Sequence, residues 1–247
     1  MDLDEILNIC VKEEQYFGLG NANSNIMFVG KEAGTDKTST EIYAGSAQSW
    51  KDKKYDYSKS FIPNEEKPDE KKLRNGNHTW QKYQKLYELI RTKLNLTNDF
   101  KRYEITFVEN IFTTELSNLP ARTTDNAKAH KDFKSNLEKR KKVFWESDFI
   151  KTFSVILLAA CDNEYIEIYD GEVRKLFEVD FINECEIGKS KIWIHNNLNK
   201  ENAHPKLVLH TRQLTNGASI DLLNKVAELI AVFLTEHSIP LEVRHHV

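Results

Sequence analysis

Asn25-Ile-Met-Phe-Val-Gly-Lys-Glu-Ala-Gly34 sets the architecture of the chain. Four apolar residues, Ile26 to Val29, run without a polar break into Gly30. A short, continuously apolar run suits a strand buried on both faces of a parallel sheet. Gly30 and Gly34 then turn the chain, with Lys31 and Glu32 held between them. In open α/β sheets ligands gather outside the carboxyl ends of the strands, where this loop would lie. A second unit of the same kind is Lys206-Leu-Val-Leu-His-Thr-Arg-Gln-Leu-Thr-Asn-Gly217. Leu207, Val208 and Leu209 form its buried run, and His210 is the first polar residue at its end. The two loops are expected to face each other and to bring Glu32 and His210 into one pocket.

Outward from these runs, helical stripes alternate with short apolar segments. Residues 3–17, 80–95, 125–146 and 220–237 carry apolar side chains at helical spacing. Strands are expected near 26–30, 104–109, 153–160 and 206–210, with another over Lys191–His195. A short helix is expected around 171–177, followed by an extended segment. This alternation predicts an α/β protein, a three-layer α/β/α sandwich around a mostly parallel central sheet. A single domain over residues 1–247 accommodates it, with insertions at about 35–78 and 163–205.

The bulk composition narrows the classes of function. The chain has 247 residues, a formal net charge of −3 and 40% hydrophobic residues. Its mean hydropathy is −0.58. No apolar run has the length of a membrane span, so no membrane partner is expected. The acidic start Met1-Asp-Leu-Asp-Glu is unlike a signal peptide, and a cytoplasmic location is the expectation. Cys10, Cys161 and Cys185 are too few and too scattered for a disulfide framework or a four-cysteine metal centre. Charge is polarised along the chain. Residues 122–142 hold eight Lys/Arg against three Asp/Glu, whereas residues 161–188 hold two against nine. The basic segment could face phosphates, or simply be a solvated helix face.

Familiar motifs are missing. The spacing from Gly30 to Gly34 matches neither the Walker A loop nor Gly-x-Gly-x-x-Gly. No Gly-x-Ser-x-Gly elbow occurs. Cys161 with His210 could form a nucleophile and base, although a lone cysteine at a strand end is more often core. His195 and His204 could join His210 around a metal, but no tight spacing supports this, and no metal or other cofactor is expected.

Several pieces in order resemble the uracil-DNA glycosylase superfamily. An apolar strand enters the loop Gly30-Lys31-Glu32-Ala33-Gly34. A middle strand carries Asn110 ahead of Ile111 and Phe112. A very apolar strand runs from Val155 to Ala160, and a late strand ends in His210-Thr211-Arg212-Gln213-Leu214. The resemblance covers about residues 24–235, in pieces. It implies a uracil-DNA glycosylase-like fold and a DNA-repair hydrolase that cleaves the N-glycosidic bond of uracil or a related damaged base, with DNA as partner. Glu32 would steer the attacking water and offset charge on the sugar. His210 would donate a hydrogen bond to the departing base, and Asn110 would read its edge. Gly30, Lys31, Gly34 and Arg212 would line the substrate. The four cysteines that hold an iron–sulfur cluster in some branches are lacking, so no cluster is expected.

The sequence also departs from that pattern. Ala33 stands where a proline is common, and Thr211-Arg212-Gln213 replaces the usual Ser-Pro or Ser-Ala after the histidine. Two other readings therefore stand beside the first. One is a catalytically inactive glycosylase-like domain that binds nucleic acid or a nucleotide. The other is a hydrolase of a different phosphorylated or glycosidic substrate, with Lys31 and Arg212 receiving a phosphate or carboxylate.

Overall fold

In a computed structural model the chain is described over residues 3–34, 46–52, 79–100, 104–168, 171–199, 203–215 and 217–242. Most of the 35–78 segment, with Tyr43, Tyr55, Tyr57 and Phe61, lies outside these residues. The three most apolar runs become the centre of one sheet. They are β2 (Ile26–Gly30), β4 (Val155–Ala159) and β7 (Leu207–Thr211), and every residue in them is buried. The remaining strands are β1 (Leu19–Gly20), β3 (Phe112–Glu115), β5 (Asp180–Ile187) and β6 (Ser190–Asn196). Their order across the sheet is β1-β3-β2-β4-β7-β6-β5. The β3-β2, β2-β4 and β4-β7 pairs are parallel. β1 on one edge, and the β5-β6 hairpin on the other, run antiparallel to their neighbours.

Side chains alternate across these strands, so each strand feeds two cores. Met27, Val29, Ile156, Leu158 and Val208 pack with Ile6 and Leu7 of helix Leu3–Lys12 and with Phe112, Phe144 and Trp145. Ile26, Phe28, Leu157 and Leu209 pack on the other face, under helices Thr79–Lys93 and Ile220–Glu236. Helices thus cover both faces of a mixed, largely parallel sheet. The last helix starts as its sequence directs, with the Ser219 hydroxyl accepting from the Leu222 N–H at 3.1 Å.

Two expectations are corrected. The middle strand does not occupy 104–109. Phe107–Glu109 is a 3₁₀ turn, and the strand begins only at Phe112. The side chain of Gln84 accepts from the N–H groups of both Thr106 and Phe107 at 2.9 Å. It takes the donors that a strand ladder would need. The basic segment 125–146 is not one helix but Thr124–Lys128, then Phe133–Arg140 running into a π-turn at Lys141–Trp145.

Part of its charge is also turned inward. Arg140 is fully buried. It donates to the carbonyls of Glu115 and Tyr16 at 2.8 and 2.7 Å and to the Thr114 hydroxyl at 3.0 Å. Its guanidinium stacks 4.3 Å from the Phe144 ring centroid. Lys141 pairs with Glu138 and Glu172, and Lys139 with Glu13. Arg140 and Lys141 are therefore withdrawn from any phosphate-tracking face, whereas Lys139 and Lys142 are exposed.

Candidate functional site

β2 lies between β3, which follows it in the chain, and β4, which comes next. The direction of winding therefore reverses between β2 and β4, and a crevice opens outside their carboxyl ends. The residues that leave these ends are Lys31 and Glu32 after β2, and Cys161 and Asp162 after β4. Lys31 bridges the crevice, with its Nζ 3.0 Å from Asp162 Oδ2. Lys128 reaches the same carboxylate from the side at 2.9 Å. Burial alone would raise the Asp162 pKa, but the hydrogen bonds from Lys128 and Lys31 outweigh it and hold the group below its ordinary value. Backbone bonds fix the loop. The Gly30 and Lys31 carbonyls accept from Leu116 and Ser117 at 2.9 and 2.8 Å, and that of Ala33 accepts from Ala121 at 3.0 Å.

On the β3 side of this bridge sits a cluster of acidic groups. Glu32 Oε1 accepts from the Thr124 hydroxyl at 2.9 Å. Tyr165 bonds the Glu32 carboxylate, and Glu115 Oε2 is buried with no hydrogen-bond partner among the described residues. Glu115 ends β3, next to Gly30, and its carboxylate occupies the space that a Gly30 side chain would fill. Burial and the neighbouring charge of Glu32 push Glu115 up to about 8, against the pull of Arg140. At neutral pH Glu115 thus carries a proton next to a second carboxylate. Burial and the nearby Glu32 also raise the Tyr165 phenol. A buried polar group without a partner costs roughly 1–3 kcal/mol. The Glu115 oxygen marks a place where a polar ligand or water would fit.

On the β7 side the edge is cationic. A cavity of about 390 Å³ is lined by Lys31, Cys161, Lys189, Lys191, Arg212 and Trp193, among others. Because β6 runs antiparallel to β7, its first residues meet the end of β7, and this brings Lys189 and Lys191 beside Arg212. The Arg212 guanidinium lies against Gly217, whose φ is +74°. A side chain there would be both strained and crowded.

The sequence-derived site residues separate into two groups. Gly30, Lys31, Glu32 and Arg212 lie along the carboxyl edge, and Gly34 ends the same loop. Asn110 does not join them. It precedes β3, its amide donates to the Tyr87 hydroxyl at 2.8 Å, and its carbonyl accepts from Ser24, just before β2. It therefore sits at the amino ends of the strands, opposite the crevice. This misplacement follows from the shifted start of β3.

His210 is not a wall of the cavity. It pairs with Leu158 one position short of the end of β7, and its ring is fully buried, 5.6 Å from the Trp193 ring. Burial lowers it to about 4, which keeps the imidazole neutral. The segment after β4 passes over both residues, placing Tyr165 beside Glu32 and Ile168 beside His210. The Cys161–His210 pair is also set aside. Burial raises the thiol and lowers the imidazole, the reverse of an activated thiolate. His204 bonds Ser154 at 2.6 Å, and His195 packs on Phe181. Among the described residues no cluster of three His, Cys, Asp or Glu could hold a metal. No described helix is long and apolar enough to cross a membrane.

Glu115, Tyr165 and Asp162 carry the site and were not singled out in the sequence. Glu115 could have been found from Phe112-Thr-Thr-Glu115 followed by the loop Leu116-Ser-Asn-Leu-Pro120. Tyr165 had no such signal. Comparison of the chain with family models, with curated proteins and with solved structures returns no match.

Proposed function

We propose that this chain is an N-glycosyl hydrolase of the uracil-DNA glycosylase kind, excising uracil or a related base. The observation that carries this reading is the pair of carboxyl groups, Glu32 and Glu115, at the carboxyl ends of adjacent parallel strands, with Glu115 Oε2 unpartnered among the described residues. Breaking a C1′–N bond leaves the bonding pair on the base and positive charge on the sugar. An ionised Glu32 stabilises that sugar and accepts a proton from the water that adds to C1′. Glu115, protonated at neutral pH, can supply the proton that the departing base takes up. A carboxyl group held protonated by burial beside a second carboxyl group suits this division of labour.

The test is uracil release from uracil-containing single- and double-stranded DNA by the wild-type chain and by Glu32→Gln. Loss of one transition-state group of this type costs about 10²–10³ in rate. Equal rates for the two proteins would exclude the assignment. A second reading, a domain that binds a nucleotide without chemistry, is favoured by one specific feature. His210, the expected donor to the base, is buried behind Trp193. Under that reading the wild-type chain binds uracil-containing ligands and releases no base.

A further inference from the structure

We propose that the cavity between the β4, β7 and β6 ends binds the terminal phosphate of a small nucleotide. The nucleotide identity rests on the N-glycosyl hydrolase reading, whereas the anion site itself does not. Lys31, Lys189, Lys191 and Arg212 all line this one cavity, and no carboxylate does. The carboxylates that answer these cations are not part of the lining. Asp162 pairs with Lys31, and Glu184 and Glu186 pair with Lys191. These pairs hold the lysines in place, as an anion site requires. Ser190 and Gln213 add neutral hydrogen-bonding groups, and Trp193, 6% exposed, supplies an aromatic surface.

The size of the ligand follows from the surroundings. A volume of about 390 Å³ suits a small molecule. A long polyanion would run onto β5, where Glu184 and Glu186 lie beside Lys191. On 133–145 the basic track is broken, because Arg140 is buried and Lys139 and Lys141 are engaged by carboxylates. The fit is therefore to a phosphomonoester dianion rather than to an extended strand. Lys31 is shared between the cavity and the bridge to Asp162, so a phosphate held here would place its nucleoside beside Glu32 and Glu115.

Calorimetry with uridine 5′-monophosphate, inorganic phosphate and uridine tests this directly. A four-nucleotide single strand without a terminal phosphate serves as a further probe. The monophosphate should bind at least tenfold more tightly than uridine, and the tetranucleotide should bind more weakly than the monophosphate. Lys189→Gln combined with Arg212→Gln should weaken the monophosphate at least tenfold with the thermal midpoint unchanged. Each single variant should weaken it several-fold, which guards against a double variant that folds poorly. Lys134→Gln, on an exposed helix position, should change nothing. Absent binding of both phosphate ligands, equal binding of uridine, tighter binding of the tetranucleotide, or equal binding by the lysine and arginine variants would each overturn the proposal. Phosphate binding without base release from either uracil-containing DNA or uridine 5′-monophosphate would sink the hydrolase reading alone. Base release without phosphate binding would sink this one alone.

Discussion

Glu115 lays its carboxylate across Gly30, in the space that a β-carbon there would need. The contact joins the ends of two neighbouring parallel strands, and it holds a protonated carboxyl group at the mouth of the crevice. Gly30→Ala tests what this closeness is for. The obstructing atoms are the far end of a flexible side chain, and the Gly30 backbone is one that alanine adopts. The variant should therefore change the unfolding free energy by less than about 1 kcal/mol, within the ordinary range for a tolerated substitution. It should also displace the Glu115 carboxylate and return its titration toward the usual carboxylate range. Urea unfolding and carbon-detected NMR titration read the two effects separately.

Glu115 also predicts an alkaline weakness. Its folded pKa of about 8 lies above the ordinary 4.5, so the folded state binds the extra proton between those values. Its contribution to stability is fully present below pH 4.5 and is lost as pH rises through 8. Glu115→Gln should flatten this decline, so that the variant gains on the wild type as pH rises from 4.5 to about 8. A wild-type stability curve that stays level from pH 6 to 9 would contradict the burial of this group.

His210 predicts the opposite limb. Its folded pKa of about 4 lies below the ordinary 6.5, so the unfolded chain binds more protons between those values. Stability is fully present above pH 6.5 and declines as pH falls toward 4. His210→Phe keeps an aromatic ring beside Trp193 and cannot be charged. It should fold at neutral pH and lose less stability than the wild type on acidification. Thermal midpoints at pH 7 and pH 5 provide the comparison.

Arg140 is a structural residue. Arg140→Met should destabilise the fold by about 3–5 kcal/mol, the scale for breaking a buried charged network. It strands the Tyr16 and Glu115 carbonyls in a dry interior. Lys142→Gln, by contrast, should be neutral within about 0.5 kcal/mol, as usual for surface changes. Chemical denaturation of the two variants distinguishes a buried strut from a solvated charge.

The sequence was legible where one physical effect dominated. β2, β4 and β7 are runs with no polar residue to bury, and both the strand positions and the parallel sheet followed from them. The loop Gly30–Gly34 and Arg212 fell on the carboxyl edge for the same reason. β3 was misread because the strand-like pattern of 104–109 lost the backbone donors of Thr106 and Phe107 to the Gln84 side chain, a contact from 22 residues away. That shift put Asn110 at the wrong end of the sheet and hid Glu115. His210 looked like an edge residue because it is polar. The hairpin β5-β6 extends the sheet beside it, and Trp193 covers the ring. Tyr165 and Asp162 came from a turn with no periodicity to read.

The pH dependence of uracil release tests the central assignment most directly. If Glu115 must be protonated and Glu32 supports the sugar, the wild-type rate should fall above pH 8. Glu115→Gln should be slower by about 10²–10³, the scale for a lost proton donor or transition-state group. Its residual rate should show no alkaline limb, and Glu32→Gln should be slow at every pH. A wild-type rate that is level through pH 9, or a Glu115→Gln profile that keeps the same limb, would contradict the assignment.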